Sequence, residues 1–453
     1  MNNISTPTLP NRWIIAIMGT LLQLCLGTVY AWSYFVNPLV AKYGWSNSQV
    51  TLTFSIAICF LGLSAAWGGV YLARIGPRKL AMTGGVLFGA GYLLAAAALH
   101  LGNLTLLYVG FGIVGGIGLG LGYVTPVATV AKWFPDRKGL LTGMVIMGFG
   151  FGALLMSKVL APCLLKATGN DYVMLFAIMG GIFLVAAPLA GAFLVNPPAG
   201  FAPGKPLPTA ADARSGAALP KVTPPEQTIG TQRALLSGRF LLLWLVFFCN
   251  IVAGIALLSL QSPLMQALLK SKDATLTTEA LAATGATLIA VSSIFNGVGR
   301  FFWGGLSDRI GRPNAFRAML LTGLLAFCGL ILASNPKVLP AAACLYNPWV
   351  FGALVCYVLL CYGGGFGTMP SFVMDIFGPK LMAVVYGTIL TAWSAAGIVG
   401  PLLFAHLKDI YKTDPTTGAT VSFLIAGGFL LLGLVCSLFV SNKPLSLPEN
   451  AGK

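Results

Sequence analysis

Twelve times along this chain a run of about 20 mostly apolar residues is followed by a short polar break, and that alternation is its dominant pattern. The runs fall near residues 13–40, 49–73, 79–99, 104–131, 139–162 and 173–195, then 239–268, 281–305, 315–333, 346–374, 381–406 and 421–440. A helix rising about 1.5 Å per residue needs roughly 20 such residues to cross a hydrocarbon layer about 30 Å thick. The pattern therefore predicts an all-α, polytopic membrane protein with twelve transmembrane helices. The first run is too long for the apolar region of a signal peptide and lacks a small-residue cleavage site after it, so it is expected to remain as the first span.

Composition supports this reading: 8% of residues are charged and 57% hydrophobic, where a soluble domain carries about 25% charged residues. With both termini assigned to the cytoplasm, 18 of the 27 Lys and Arg fall in inner loops and tails, eight fall outside, and Arg300 lies within a span. That excess obeys the positive-inside rule and predicts cytoplasmic termini in a multi-pass protein of the cell membrane, the inner membrane if the source is bacterial. The formal charge of +16 is spread over short loops rather than gathered on one soluble face, so a nucleic-acid partner is not expected. The nine Cys are isolated, without CxxC or ligand spacing, and read as packing residues. Neither a metal nor a cofactor is expected.

Between the sixth and seventh runs lies a Pro- and Ala-rich polar stretch, predicted as a cytoplasmic linker over 196–238. It separates a first bundle, 1–195, from a second, 239–453, and the two are related. GGVYLARIGPRK after the second run and GGLSDRIGR after the eighth superpose Arg74 on Arg309 and Gly76 on Gly311 at a common offset of 235. Two six-helix pseudo-repeats joined by a polar loop suit a carrier that rocks about a site between its halves. In these loops an Asp near one helix end and an Arg near the next can bond across the cytoplasmic face. Asp308, Arg309 and Arg312, with Arg74 and Arg78, are the candidate gating residues.

Arg300 is the one charge well inside an apolar run. A guanidinium at mid-bilayer costs roughly 3 kcal/mol on insertion scales, so it is expected to face a polar cavity and to take an anion. Ser292, Asn296 and Arg300 are spaced to share one helix face, with Ser293 and Gly297 beside them, and Asp308 marks the helix end about 12 Å further on. Tyr30 and Trp32, Tyr123, Tyr362 and Phe366, and Trp393 lie where hydroxyl or indole groups can donate to a carboxylate while the rings exclude water. Lys158 is a second possible cation, best explained by snorkelling to the outer interface. His100 and His406 fall near the external ends, where solvation explains them. No Asp or Glu falls inside a run. Gly112, Gly116 and Gly120, and Gly148 with Gly152, recur every four residues and predict close helix packing rather than a nucleotide loop.

The paired loop motifs make the chain resemble the major facilitator superfamily over essentially its whole length, except that Ala73 stands where the first-half motif usually has Asp. Within that superfamily, GTVYAWSYFVNPL, AKWFPDRKGLLTG, NGVGRFFWGGLSDRIGR and PSFVMDIFG resemble the oxalate/formate antiporter family, itself related to monocarboxylate transporters. The resemblance implies the major facilitator fold, places Arg300 on the arginine that binds the substrate carboxylate, and aligns Tyr30, Tyr123 and Tyr362 with aromatic positions lining the site. The family's oxalate carriers have a Lys in the eleventh span where this chain has Trp393. One buried cation leaves the second charge of a dianion uncompensated in a low-dielectric site, so a monocarboxylate of the formate, lactate or pyruvate class fits better.

The expectation is a secondary transporter of a small carboxylate, working by alternating access as a monomer in the lipid bilayer, with a counter-anion or proton as possible partner. The alternatives are an oxalate/formate-type dicarboxylate exchanger and a transport-inactive sensor of the same acids. An enzyme is not expected, because the chain offers two His, no clustered carboxylates and no nucleophile–base pair.

Overall fold

The structure, a computed structural model, describes residues 10–134, 138–198, 201, 230–378 and 380–445. Most of the 196–238 segment lies outside those residues. Among the described residues, twelve helices are long and apolar enough to cross a membrane. They are α1 Arg12–Tyr43, α2 Asn47–Ile75, α3 Pro77–Leu101, α4 Leu104–Trp133, α5 Leu141–Ala167 and α6 Tyr172–Ala192, then α7 Gly238–Lys272, α8 Thr278–Ile310, α9 Arg312–Ser334, α10 Pro348–Phe377, α11 Met382–Ile410 and α12 Pro415–Leu438. The fold is all-α and multi-pass. The end carrying the start of α1 and the end of α12 is called cytoplasmic and the opposite end outer, following the orientation proposed from the Lys and Arg distribution.

The boundaries follow ordinary capping chemistry. Ser46 and Gln49 form a capping box at the start of α2, and Asn11, Asp171, Ser237, Thr277 and Asn347 each accept a backbone N–H at a helix start. The internal repeat is visible in the backbone. Gly76, between α2 and α3, has φ 88° and ψ 151°; Gly311, between α8 and α9, has φ 87° and ψ 146°. Only glycine enters that region without steric cost, which is why the loop motif keeps a Gly at this place in both halves.

Packing between the halves follows the same pseudo-symmetry. α2 lies against α11 and α5 against α8, and these two pairings exchange when the repeats are exchanged; the outer part of α1 meets α7. The α5–α8 crossing occurs at Gly150 and Gly297, where a Cβ on Gly150 would sit 2.6 Å from the Gly297 Cα. The α4 stripe of Gly112, Gly116 and Gly120 packs on Ile56, Ala57 and Leu61 of α2, and Gly148 and Gly152 pack on Thr20 and Gly27 of α1. These glycines do serve helix contact.

Candidate functional site

Three local features deliver the site's side chains. α1 tightens into a 3-10 turn over Thr28–Ala31, and Tyr30 projects from that turn. α11 is broken after Ile389, where the Trp393 N–H reaches back to the Leu390 carbonyl at 3.0 Å, and Trp393 stands on the first turn after the break. α8 and α10 approach closely because Gly363 and Gly367 face the carbonyls of Asn296 and Arg300, leaving no room for a Cβ. Interrupted helices at mid-membrane are tolerated where protein, not lipid, surrounds them.

Arg300 is 1% exposed and sits between the two halves. Its Nη1 donates to the Ile146 carbonyl of α5 at 3.1 Å and more weakly to the Tyr123 hydroxyl of α4 at 3.5 Å, and its Nε to Asn296 Oδ1 at 3.4 Å. Its guanidinium lies 5.1 Å from the Phe366 ring centre and 5.6 Å from that of Phe149. Nη2 has no hydrogen-bond partner and, among the described residues, no carboxylate pairs with this cation. A guanidinium carries five donors. Two of the three bonds it makes are near the long limit, so it holds donor capacity and unbalanced charge in a low-dielectric interior.

Six aromatic rings form one contiguous cluster around the two that lie over the guanidinium. Trp393 packs edge-on against Phe366 at 4.6 Å, Tyr123 at 5.2 Å, Phe149 at 5.8 Å and Tyr30 at 6.2 Å, and Tyr362 meets Phe366 at 5.3 Å. The Tyr30 and Tyr362 hydroxyls are bonded at 2.5 Å, joining α1 to α10. Trp393 Nε1 and Tyr386 Oη make no bond of good geometry among the described residues. Arg300, Tyr30, Tyr123, Tyr362 and Trp393 are all at most 1% exposed, so the site is closed to both faces.

The structure thus brings Arg300, Asn296, Tyr30, Tyr123, Tyr362, Phe366 and Trp393 together, and it corrects three sequence expectations. Trp32 is not with them: it packs against Phe35, Phe111 and Phe176, with its Nε1 on the Val50 carbonyl, because the 3-10 turn points it into the first half instead. The serines outward of Arg300 do not line a cavity. Ser292 donates to Gln261 of α7 and Ser293 to the Gly150 carbonyl of α5, so they fasten helices. α8, α10 and α11 also run further than expected, to Ile310, Phe377 and Ile410, which puts Asp308 and Asp375 on spans at their cytoplasmic ends and Asp409 on a span at its outer end.

Among the loop residues, Arg312 pairs with Asp308 at 2.5 Å and with Asp375 at 3.4 Å, and also donates to Ser307. These contacts link α8, α9 and α10 within one half. Arg78 donates to the Ala192 carbonyl at 2.6 Å, tying α3 to α6; Arg74 and Arg309 are exposed. Lys158 donates to Thr287 of α8 at 2.6 Å rather than to any group near Arg300. His100 and His406 are exposed. Sequence reasoning missed Phe149, Tyr386 and the Ile146 carbonyl. Phe149 sits within the GFGFG run of α5, whose alternating rings offered the one available hint.

The profile of the Major Facilitator Superfamily matches residues 17–401, and the chain belongs to that superfamily. It is 26% identical to the oxalate:formate antiporter of Oxalobacter formigenes over 439 residues, covering 96% of this chain and 93% of that one. It is 27% identical to apicoplast pyruvate carrier 1 of Toxoplasma gondii over 518 residues, covering 96% and 90%. Its fold is similar to the crystal structure of a D-xylose-proton symporter, with TM-score 0.69, 18% identity, and coverage of 96% and 99%. Membership is therefore established for the superfamily, and the narrower family expected from sequence blocks stays a resemblance. Secondary transport of a small polar or charged solute by alternating access, rather than catalysis, is the activity that goes with membership.

Proposed function

We propose that this member of the Major Facilitator Superfamily carries a short organic anion with a single carboxylate, bound by Arg300 inside the aromatic enclosure between its halves. The observation that carries the reading is a fully buried guanidinium with Nη2 unbonded and, among the described residues, without a carboxylate partner. A monocarboxylate supplies the missing charge and two acceptor oxygens at once, and a carboxylate pairs with the guanidinium fork in parallel bonds. Trp393 Nε1 and the tyrosine hydroxyls add neutral donors, while six rings cover a small apolar tail and limit its length.

The cycle follows from the closed geometry. With the site sealed on both faces, solute enters only when one half tilts against the other, which parts the Tyr30–Tyr362 bond and exposes Arg300. Binding brings residues of both halves onto one small ion, so the loaded carrier closes around it. Among the described residues no second cation faces Arg300, which favours a monoanion; the similarity to an oxalate:formate antiporter keeps a dicarboxylate exchanger as the second reading.

Thermal stabilisation of purified protein by formate, lactate, pyruvate, acetate and oxalate, followed by counterflow of the labelled acid in proteoliposomes, tests this. Stabilisation by monocarboxylates with exchange flux is the expected result. Preference for oxalate supports the dicarboxylate reading, binding without flux supports a sensor, and no response to any carboxylate overturns the anion assignment.

A further inference from the structure

At the outer end, one carboxylate of the second half holds the first turn of a helix in the first half. Asp409, near the end of α11, accepts from the backbone N–H and the side-chain Nδ2 of Asn47 on Oδ1, at 3.3 and 3.0 Å, and from the backbone N–H and the hydroxyl of Ser48 on Oδ2, at 2.9 and 2.6 Å. Asn47 and Ser48 are the first two residues of α2, whose backbone N–H groups have no partner within the helix. The carboxylate therefore satisfies two orphan donors and places its negative charge at the positive end of the helix dipole. Both ends of the Asn47 amide are engaged, since its Oδ1 accepts from Lys408 Nζ at 2.8 Å. The Asp409 side chain is 15% exposed, and the neighbouring Lys412 ammonium, at 3.9 Å, is 66% exposed.

This cluster crosses the interface between the halves. Other contacts across it outward of Arg300 are neutral or single: Ser293 donates to the Gly150 carbonyl and accepts from the Leu154 N–H, while Asn37 Nδ2 to Gln266 Oε1 at 2.9 Å and Lys158 Nζ to Thr287 Oγ1 are one bond each. The Asp409 cluster combines four donors on one anion, and hydrogen bonds to an ionised acceptor are roughly twice as strong as neutral ones. The hydrogen bonds seen between the halves among the described residues lie at or outward of the Arg300 level.

We propose that Asp409 is the positioning residue of the outer gate: its charge holds α2 to α11, and outward opening requires Asn47 and Ser48 to leave it together. It touches no solute and acts through α2. The assignment does not depend on which solute is carried, and its test needs none.

Spin labels at Ala41→Cys and Thr413→Cys, both exposed at the outer end, in a background with the native cysteines replaced, report the outer separation in proteoliposomes by distance measurement. The parent should give a short-distance population. Asp409→Ala should add a longer one and shift the closed-to-open ratio by about tenfold or more, as expected when a charged hydrogen-bond acceptor is lost. Asp409→Asn should shift it less than Ala. The double variant Asn47→Ala, Ser48→Ala removes side-chain donors from the opposite side and should also shift it, which keeps the test decisive if Asp409→Ala does not fold. A distribution unchanged in every variant that folds overturns the assignment. Transport failure at Arg300 with normal gating at Asp409, or the reverse, separates this assignment from the carboxylate reading.

Discussion

Tyr30 of α1 and Tyr362 of α10 share a hydrogen bond between their hydroxyls at 2.5 Å, and each ring also packs in the enclosure around Arg300. One contact thus joins the two halves within the enclosure. In the proposed cycle this bond parts on opening and re-forms on closure, which couples the solute to the relative position of the bundles.

Tyr30→Phe and Tyr362→Phe each remove that bond while keeping the ring. A net loss of about 1 kcal/mol is expected for the closed form, a shift of about fivefold in its population. Initial-rate transport should show a changed maximal rate with a smaller change in KM. Equal effects in both single variants, with no further effect in the double, identify the shared bond as the cause.

Arg300→Ala should still insert and fold, because six rings and the glycine-mediated α8–α10 contact remain, but solute flux should fall by about 100-fold or more. Leaving a buried anion without its partner costs about 3–5 kcal/mol. Arg300→Lys should recover only part of the loss, since an ammonium cannot offer the parallel fork. Flux in reconstituted vesicles, normalised to inserted protein, checks both; near-wild-type flux in Arg300→Ala removes the anchor role.

Trp393→Lys places a second cation within the enclosure. The ratio of dicarboxylate to monocarboxylate affinity is expected to rise about tenfold, equivalent to about 1.4 kcal/mol. Competition by oxalate and by formate against the same labelled solute gives the ratio directly, and an unchanged ratio means that Trp393 does not face the bound anion.

Gly363→Ala should destabilise the second half rather than alter selectivity. The added Cβ meets the Asn296 carbonyl, and forcing α8 away from α10 is an overpacking change costing about 1–3 kcal/mol. A lowered melting temperature with unchanged relative affinities among solutes is the expected pair of results. Displacement of Asn296 and Arg300 large enough to change selectivity would mean that this crossing also tunes the site.

The sequence by itself determined the twelve spans, because a stretch of about 20 apolar residues has no stable alternative to crossing the bilayer as a helix. It also determined the repeat, because the turn at Gly76 and Gly311 demands the same residue twice, and it singled out Arg300, because an isolated charge in an apolar run stands out one-dimensionally. Which aromatics surround that charge was only partly legible. Tyr30 and Trp32 are two residues apart and look alike along the chain, yet a 3-10 turn sends one to Arg300 and the other into the first half. Phe149 was hidden among apolar neighbours, and Ser292 and Ser293 read as cavity lining until α5 and α7 were seen to occupy their hydroxyls. Asp409 lay beyond any sequence reading, since its partners, Asn47 and Ser48, are more than 350 positions away. Local hydrophobicity fixes where each helix crosses the membrane; the rotation of each helix and the faces that meet between bundles are set by packing of distant segments, and only the tertiary structure decides those.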